Sequence, residues 1–276
     1  MESDLISICI PTFNNIKNLQ KVIDSVLSQS FKNFEIIISD DSTNDETKDL
    51  VEKNISKGVS IQYFRNSPSL GSPKNWNYAM SKAKGRYIKI LHHDDWLIHP
   101  KALELCIDQI KNDNKSFVFS SAETIRNGQL SNHIPDLEEL EKLMNNPFYI
   151  LKANFIGGPS SIIFPNNGIK FDERLIWLVD VDFYLQLFAA SYRLKFISTK
   201  LYCTFLDDSN ITNRCIDDYD LNIKELSIIY HKYKKLIKFT QRLYVIHLMN
   251  KYLSQVHATN FMKTYLKIVF GSFLKR

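Results

Sequence analysis

Between residues 5 and 120 the sequence switches back and forth between two hydrophobic periods, and that alternation leaves few folds open. Short apolar runs at 5–10, 34–39, 60–64, 87–91 and 117–120 read as buried strands. Helical repeats lie between them. Residues 17–29 space Leu19, Val22, Ile23, Val26 and Leu27 along one stripe, and 45–57 carries acids early and a lysine late, as the helix dipole prefers. Residues 72–83 form a further helix, and 100–110 opens with proline in its first turn. Strand–helix repeats of this kind imply α/β architecture: a doubly wound, mostly parallel, Rossmann-like sheet with helices on both faces. A helical C-terminal extension is expected to follow it. Residues 121–150 lose the pattern, with an acidic surface loop or short helix at 136–141. A glycine-rich turn runs into a strand at 154–164, a helix spans the region of Asp180–Ala190, and short strands fall near 194–206.

In such sheets ligands bind beyond the carboxyl ends of the strands, which singles out the residues that follow each run. Pro11-Thr12-Phe13-Asn14-Asn15 follows the first, Asp40-Asp41-Ser42 the second and His92-His93-Asp94-Asp95 the fourth. Two carboxylates and two imidazoles on one tight loop suit a divalent cation. Carboxylates favour Mg²⁺ or Mn²⁺, and imidazole moves the balance toward a transition metal such as Mn²⁺. The competing reading is a cap, with Asp94 or Asp95 starting a turn toward Pro100. At Asp40-Asp41-Ser42, an Asx-turn or cap before the next helix competes with a carboxylate that accepts from a nucleobase or ribose. Phospho-acceptor receiver domains also chelate Mg²⁺ with an acid pair at a strand end, but they are far shorter than 276 residues and need a lysine after a late strand.

Composition narrows the partners. Apolar residues at 44% and charged residues at 24% exclude disorder as the main state. Cys9, Cys106, Cys203 and Cys215 lie far apart without a CxxC, so neither a zinc knuckle nor a disulfide scaffold is indicated, and a reducing cytosol suits them. No run of about 18 apolar residues is present to span a bilayer. Met-Glu-Ser-Asp lacks the basic start of a signal peptide, so a cytoplasmic location is expected. Residues 221–276 hold eleven Lys/Arg against one acid, Glu225, a net of +10, whereas residues 1–220 carry a net of −5. Within that tail, Leu243, Ile246, Met249, Tyr252, Leu253 and Val256 recur at helical spacing, and Phe261, Tyr265, Ile268 and Phe273 alternate with lysines. Two readings stand: helices that pack an apolar face with their lysines in water, or a peripheral surface for anionic lipid at the inner face of the cell membrane. Nucleic acid is not an expected partner, because no recognition module is present and the main body is acidic.

In order and content these segments resemble the family 2 glycosyltransferases, whose fold is glycosyltransferase A, over residues 5–212. Residues 6–14 (ISICIPTFN) resemble the family's opening strand, 38–43 (ISDDST) its nucleoside segment and 71–79 (GSPKNWNYA) the stretch before the fourth strand. Residues 91–97 (LHHDDWL) resemble its metal-binding Asp-x-Asp loop. Residues 154–164 (NFIGGPSSIIF) resemble an acceptor-side segment, and 171–187 (FDERLIWLVDVDFYLQL) the segment that carries the catalytic base. Each is loose alone; six in the right order are specific.

The resemblance implies a catalytic domain over 1–213, with a nucleotide half at 1–120 and an acceptor half at 121–213, followed by a basic helical region at 214–276. It implies metal-dependent transfer of a sugar from a nucleoside diphosphate-sugar, with UDP the family's most frequent nucleotide. The acceptor would be a hydroxyl of a glycan or lipid-linked glycan, as in surface-polysaccharide synthesis. Asp94 would be the main ligand of Mn²⁺ or Mg²⁺, with His92 and Asp95 beside it. Pro11, Thr12, Asn14, Asp40, Asp41, Asn77 and Asp94 would bind the nucleotide, and Asp180 would be the general base. Asp182, two positions on, would point elsewhere on the helix and reads as a solvent-exposed acid. One base with no second carboxylate placed as nucleophile implies a single, inverting displacement.

Four departures from the family pattern stand out. His92 replaces the first Asp of the metal loop, Val179 replaces the acid before the base, and Ser42 replaces a glycine. Asp207 or Asp208 stands where a late histidine is usual. A sugar nucleotidyltransferase would want a glycine-rich loop with Arg or Lys after the first strand, but 12–17 offers no cation before Lys17. A non-catalytic sugar-nucleotide or glycan-binding module on the same fold remains open through His92 and Val179.

Overall fold

β1 (Ile6–Thr12) is buried at every position, and the rest of the sheet grows outward from it. β2 (Phe34–Asp40), β3 (Ile61–Arg65) and β4 (Tyr87–Ile90) join it in the order β3-β2-β1-β4, all parallel. β1, β2 and β4 are built mainly of apolar residues that point to both faces, whereas β3 at the edge is half-buried throughout. The crossovers are α1 (Ile16–Leu27), α2 (Glu46–Ser56) and α3 (Lys74–Ser81). α1 turns Leu19, Val22, Ile23 and Val26 into the core that also takes Ile6, Ile8 and Ile10. The register pairs Thr12 with Asp40 and Asp40 with Arg65, so three strand ends meet in one row at the carboxyl edge.

This computed structural model describes residues 4–206, 214–215, 217–236 and 245–248. The chain divides into two compact units, Met1–Arg174 with Val179–Asp207, and Leu175–Leu178 with Asp208–Arg276.

Beyond β4 the first unit becomes mixed. β5 (Asp95–Leu97), α4 (Ala102–Ile110), β6 (Ser116–Arg126), β7 (Gln129–His133), α5 (Leu137–Asn145), β8 (Ile162–Pro165), α6 (Val179–Ala189) and β9 (Arg193–Leu206) complete it. The sheet continues β4-β8-β6-β9-β5, with β7 on β6. β8 runs antiparallel to both β4 and β6, while β6 and β9 form a long parallel ladder. The result is a mixed, mostly parallel sheet with helices, the α/β class expected.

Two elements depart from the expectations. Residues 121–133 are a hairpin, not a patternless stretch: Asn127 and Gly128 close it at φ of 51° and 77°, the pair of positive angles that an Asn-Gly turn supplies. β7 itself is polar and largely exposed, so it has no apolar alternation to betray it. The short strands expected near 194–206 are one 14-residue strand, β9. At the acidic stretch, Asp136 caps α5 by accepting from Glu138 and Glu139 N–H.

In the second unit, α7 (Tyr219–Tyr233) starts at Asp218, whose carboxylate accepts from Leu221 N–H. Its buried Glu225 accepts three backbone N–H groups, from Ile176, Trp177 and Leu178, at 2.6, 3.0 and 2.7 Å. Burial nevertheless pushes the Glu225 carboxyl above its ordinary value. Among the described residues, no helix is long and apolar enough to cross a membrane. Asp207, Asp208 and most of the basic stripe from Leu243 onward lie outside the described residues.

Candidate active site

The loop after β4 closes on itself. Asp95 N–H donates to the His92 carbonyl at 3.0 Å, so the chain reverses and β5 begins at Asp95 rather than a helix cap. One ligand atom each from His92, Asp94 and Asp95 falls within 4.8 Å of the others. His92 Nε2 and Asp95 Oδ1 are buried without a hydrogen-bond partner among the described residues. Buried polar atoms left unpaired are costly, and a water or an ion would satisfy them. Burial pushes the His92 imidazole down to about 4, against the pull of Asp94, which keeps it neutral as metal ligation requires. Burial, reinforced by Asp94, pushes the Asp95 carboxyl up to about 8, with hydrogen bonds from Ser160 and Thr204 acting the other way. One imidazole and two carboxylates form a donor set that fits Mn²⁺ or Mg²⁺.

Three neighbours that the sequence reading missed hold this loop. Ser160 Oγ accepts His92 N–H at 3.0 Å. Lys89, buried on β4, donates its ammonium to the Ser160 carbonyl, and burial lowers it to about 8. Trp76 on α3 lies against the His92 ring, centroids 4.7 Å apart, and meets Phe171 edge-on at 5.1 Å. A lysine in an otherwise apolar strand that leads into the His92–Asp95 loop was an available sequence signal.

At the carboxyl ends of the parallel strands, Pro11 and Thr12 are buried at the end of β1, and Thr12 Oγ1 has no hydrogen-bond partner among the described residues. Asp40 Oδ2 accepts from the Tyr63 hydroxyl at 2.7 Å and lies 3.4 Å from Arg65 Nη1, while its Oδ1 accepts Ser42 N–H at 2.8 Å. The Asx-turn is therefore present, and Asp40 also carries an ion pair. Asp41 takes Asn66 Nδ2 and Leu70 N–H on Oδ1, and Gly71 N–H on Oδ2 at 2.7 Å. Its carboxylate thus shapes the loop that leads into α3. Asn14, at φ 45°, ties its side chain to Thr43. Asn77 spends its amide on Phe171 and Glu173. The Asn that reaches the strand ends is Asn75, which donates to the Thr12 carbonyl and accepts from Asn66.

Asp180 stands in the first turn of α6. Its Oδ2 accepts from Asn154 Nδ2 at 2.7 Å and its Oδ1 from Val181 N–H at 2.7 Å. Asp182 is fully buried and accepts from Gln186 Nε2 at 2.9 Å. It is not the solvent-exposed acid expected, because the helix turns that face into the protein. The 154–160 stretch is therefore bonded through Asn154 to Asp180 and through Ser160 to the His92 loop.

Residues 7–172 match glycosyl transferase family 2. The chain belongs to that family. As a family 2 glycosyltransferase it is a transferase enzyme, built on the sheet and loops described above. Over 79% of its length it is 30% identical to an uncharacterized glycosyltransferase of Rickettsia typhi, of which it spans 69%. Over 36% of its length it is 39% identical to the Escherichia coli UDP-Glc:alpha-D-GlcNAc-diphosphoundecaprenol beta-1,3-glucosyltransferase WfaP, of which it spans 38%. Staphylococcus aureus TarS residues 1–349, solved in complex with UDP-GlcNAc, share the fold at a TM-score of 0.66 and 19% identity, over all of this chain and 76% of that one.

Proposed function

We propose that this family 2 glycosyltransferase moves a hexosyl group from a UDP-sugar to a hydroxyl of a lipid-linked glycan, with inversion and with Asp180 as general base. The observation that carries the reading is the 154–160 segment, which bonds both the Asp180 carboxylate and the His92 loop. That arrangement ties the base to the ligand cluster through one short stretch of backbone. His92, Asp94 and Asp95 would hold Mn²⁺ or Mg²⁺, and the cation would supply charge neutralisation at the departing diphosphate. Thr12 and the Asp40–Tyr63–Arg65 cluster would line the nucleoside pocket, with Asp41 and Asn14 fixing the two loops that frame it. Asp180 would accept the proton of the acceptor hydroxyl as that oxygen attacks the anomeric carbon, and the bond to the diphosphate oxygen would break on the opposite face.

The WfaP resemblance supports a diphospholipid-linked acceptor, and the +10 charge of residues 221–276 would suit an anionic membrane surface at which such an acceptor resides. The test combines calorimetry and turnover. UDP and GDP are titrated with and without Mn²⁺, and transfer from UDP-glucose to a synthetic GlcNAc-diphospholipid is followed. Mn²⁺-dependent binding of UDP that is lost in Asp94→Ala, with turnover lost but UDP binding kept in Asp180→Ala, is the expected result. Full turnover in Asp180→Ala would remove the base assignment.

A further inference from the structure

We propose that Asn154 is the positioning residue of the reaction: its side-chain amide, locked to the backbone of Gly157, aims the Asp180 carboxylate. The proposal rests on the reading of Asp180 as general base and adds the group that sets its direction.

The geometry runs in both directions along one amide. Gly157 N–H donates to Asn154 Oδ1 at 3.1 Å, and Asn154 Nδ2 donates to the Gly157 carbonyl at 2.9 Å. Because an N–H can only meet the oxygen end, the amide has one orientation, and its NH₂ must be the end at Asp180 Oδ2. The same Gly157 carbonyl accepts the Tyr184 hydroxyl at 2.9 Å. Asp180 and Tyr184 are four residues apart on α6 and so share a face. The turn therefore grips one face of the helix at two successive levels, through Asn154 at the carboxylate and through Gly157 one turn on.

Gly157 makes this closure possible. It sits at φ +92°, a conformation that favours glycine, and a Cβ there would press on the Tyr202 hydroxyl at 3.1 Å. A carboxylate offers about four lone-pair sites, so the Asn154 donor on Oδ2, acting with Val181 N–H on Oδ1, fixes rotation without removing the capacity to take a proton. With its amide pinned, Asn154 does for Asp180 what an orienting group does for a catalytic base elsewhere. A base displaced by about 1 Å can lose on the order of 100-fold in rate.

Asn154→Ser tests this directly. A serine hydroxyl can still accept Gly157 N–H and preserve the turn, but it is too short to reach Asp180. Mn²⁺-dependent turnover of UDP-glucose is measured for wild type, Asn154→Ser, Asp180→Asn and the double variant, with UDP affinity and Tm alongside. For Asn154→Ser we expect kcat to fall about 10- to 100-fold while UDP affinity and Tm stay near wild type. The acid limb of the kcat profile should move to higher pH, because the ionised carboxylate has lost a donor. The double variant should be no slower than Asp180→Asn alone. An equal fold-loss on the Asp180→Asn background, or wild-type kcat in Asn154→Ser, would overturn the proposal. Undiminished turnover in Asp180→Asn would instead overturn the base assignment on which it rests. Asn154→Asp, which keeps the turn but sets two carboxylates against each other, should be slower still, and wild-type turnover in it would likewise refute the role.

Discussion

Ser7 and Glu35 face each other across β1 and β2, and the Ser7 hydroxyl donates to the Glu35 carboxylate at 2.6 Å. Glu35 also accepts Gln62 Nε2 and Lys84 N–H, while Ser7 Oγ accepts Gly85 N–H at 2.8 Å. This polar knot lies at the amino ends of β1 and β2, opposite the strand ends that carry the candidate site.

Burial is the largest single influence on Glu35 and pushes its carboxyl up, but the hydrogen bonds together hold it below the ordinary value of 4.5. A carboxyl depressed in the folded state gives stability that is present above pH 4.5 and lost as pH falls through the folded value. Glu35→Gln should therefore cost about 1–2 kcal/mol near neutral pH. In urea unfolding the gap to wild type should close in acid below that window, while UDP affinity is unchanged.

Gly85→Ala should be among the most damaging single-methyl changes. A Cβ there would lie 2.7 Å from the Leu5 carbonyl oxygen, Ser7 N and Ser7 Oγ. Two of these are backbone atoms of the chain entering and forming β1, a central strand that cannot give way without losing its register. A loss of about 2–3 kcal/mol is expected, read as a fall in Tm.

Thr12→Val should move stability and binding in opposite directions. Thr12 Oγ1 is buried with no partner among the described residues, so an apolar isostere removes an unpaired hydroxyl and should raise stability by up to about 1 kcal/mol. UDP affinity should fall several-fold if that hydroxyl meets the nucleotide. Unchanged affinity by calorimetry would place the nucleoside elsewhere.

His92→Asp should change which cation is preferred. Exchanging the imidazole for a carboxylate gives an all-oxygen ligand set, which suits Mg²⁺, whereas the native set leans toward Mn²⁺. Titration of UDP with each cation should show the ratio of Mn²⁺- to Mg²⁺-supported affinity falling in the variant. An unaltered ratio would mean that His92 does not touch the metal.

The sequence by itself determined the parallel half of the sheet, because strands covered by helices must be mainly apolar and their crossover helices must carry one apolar stripe. It also determined which strand ends carry acids, and so where His92, Asp94 and Asp95 stand. Local spacing sufficed there, since all three lie on one turn. What only the tertiary structure decided is the partner of each polar group. Asp40 and Asp41 are adjacent in the chain, yet one takes Tyr63 and Arg65 and the other takes the 66–71 loop. Asn77 serves Phe171, 94 residues away, whereas its near neighbour Asn75 reaches Thr12. Asn154 meets Asp180 across 26 residues of chain. Hydrophobic periodicity is a local property that a linear pattern can express. A hydrogen bond between distant side chains depends on where the packed backbone brings them, and no spacing in the sequence encodes it.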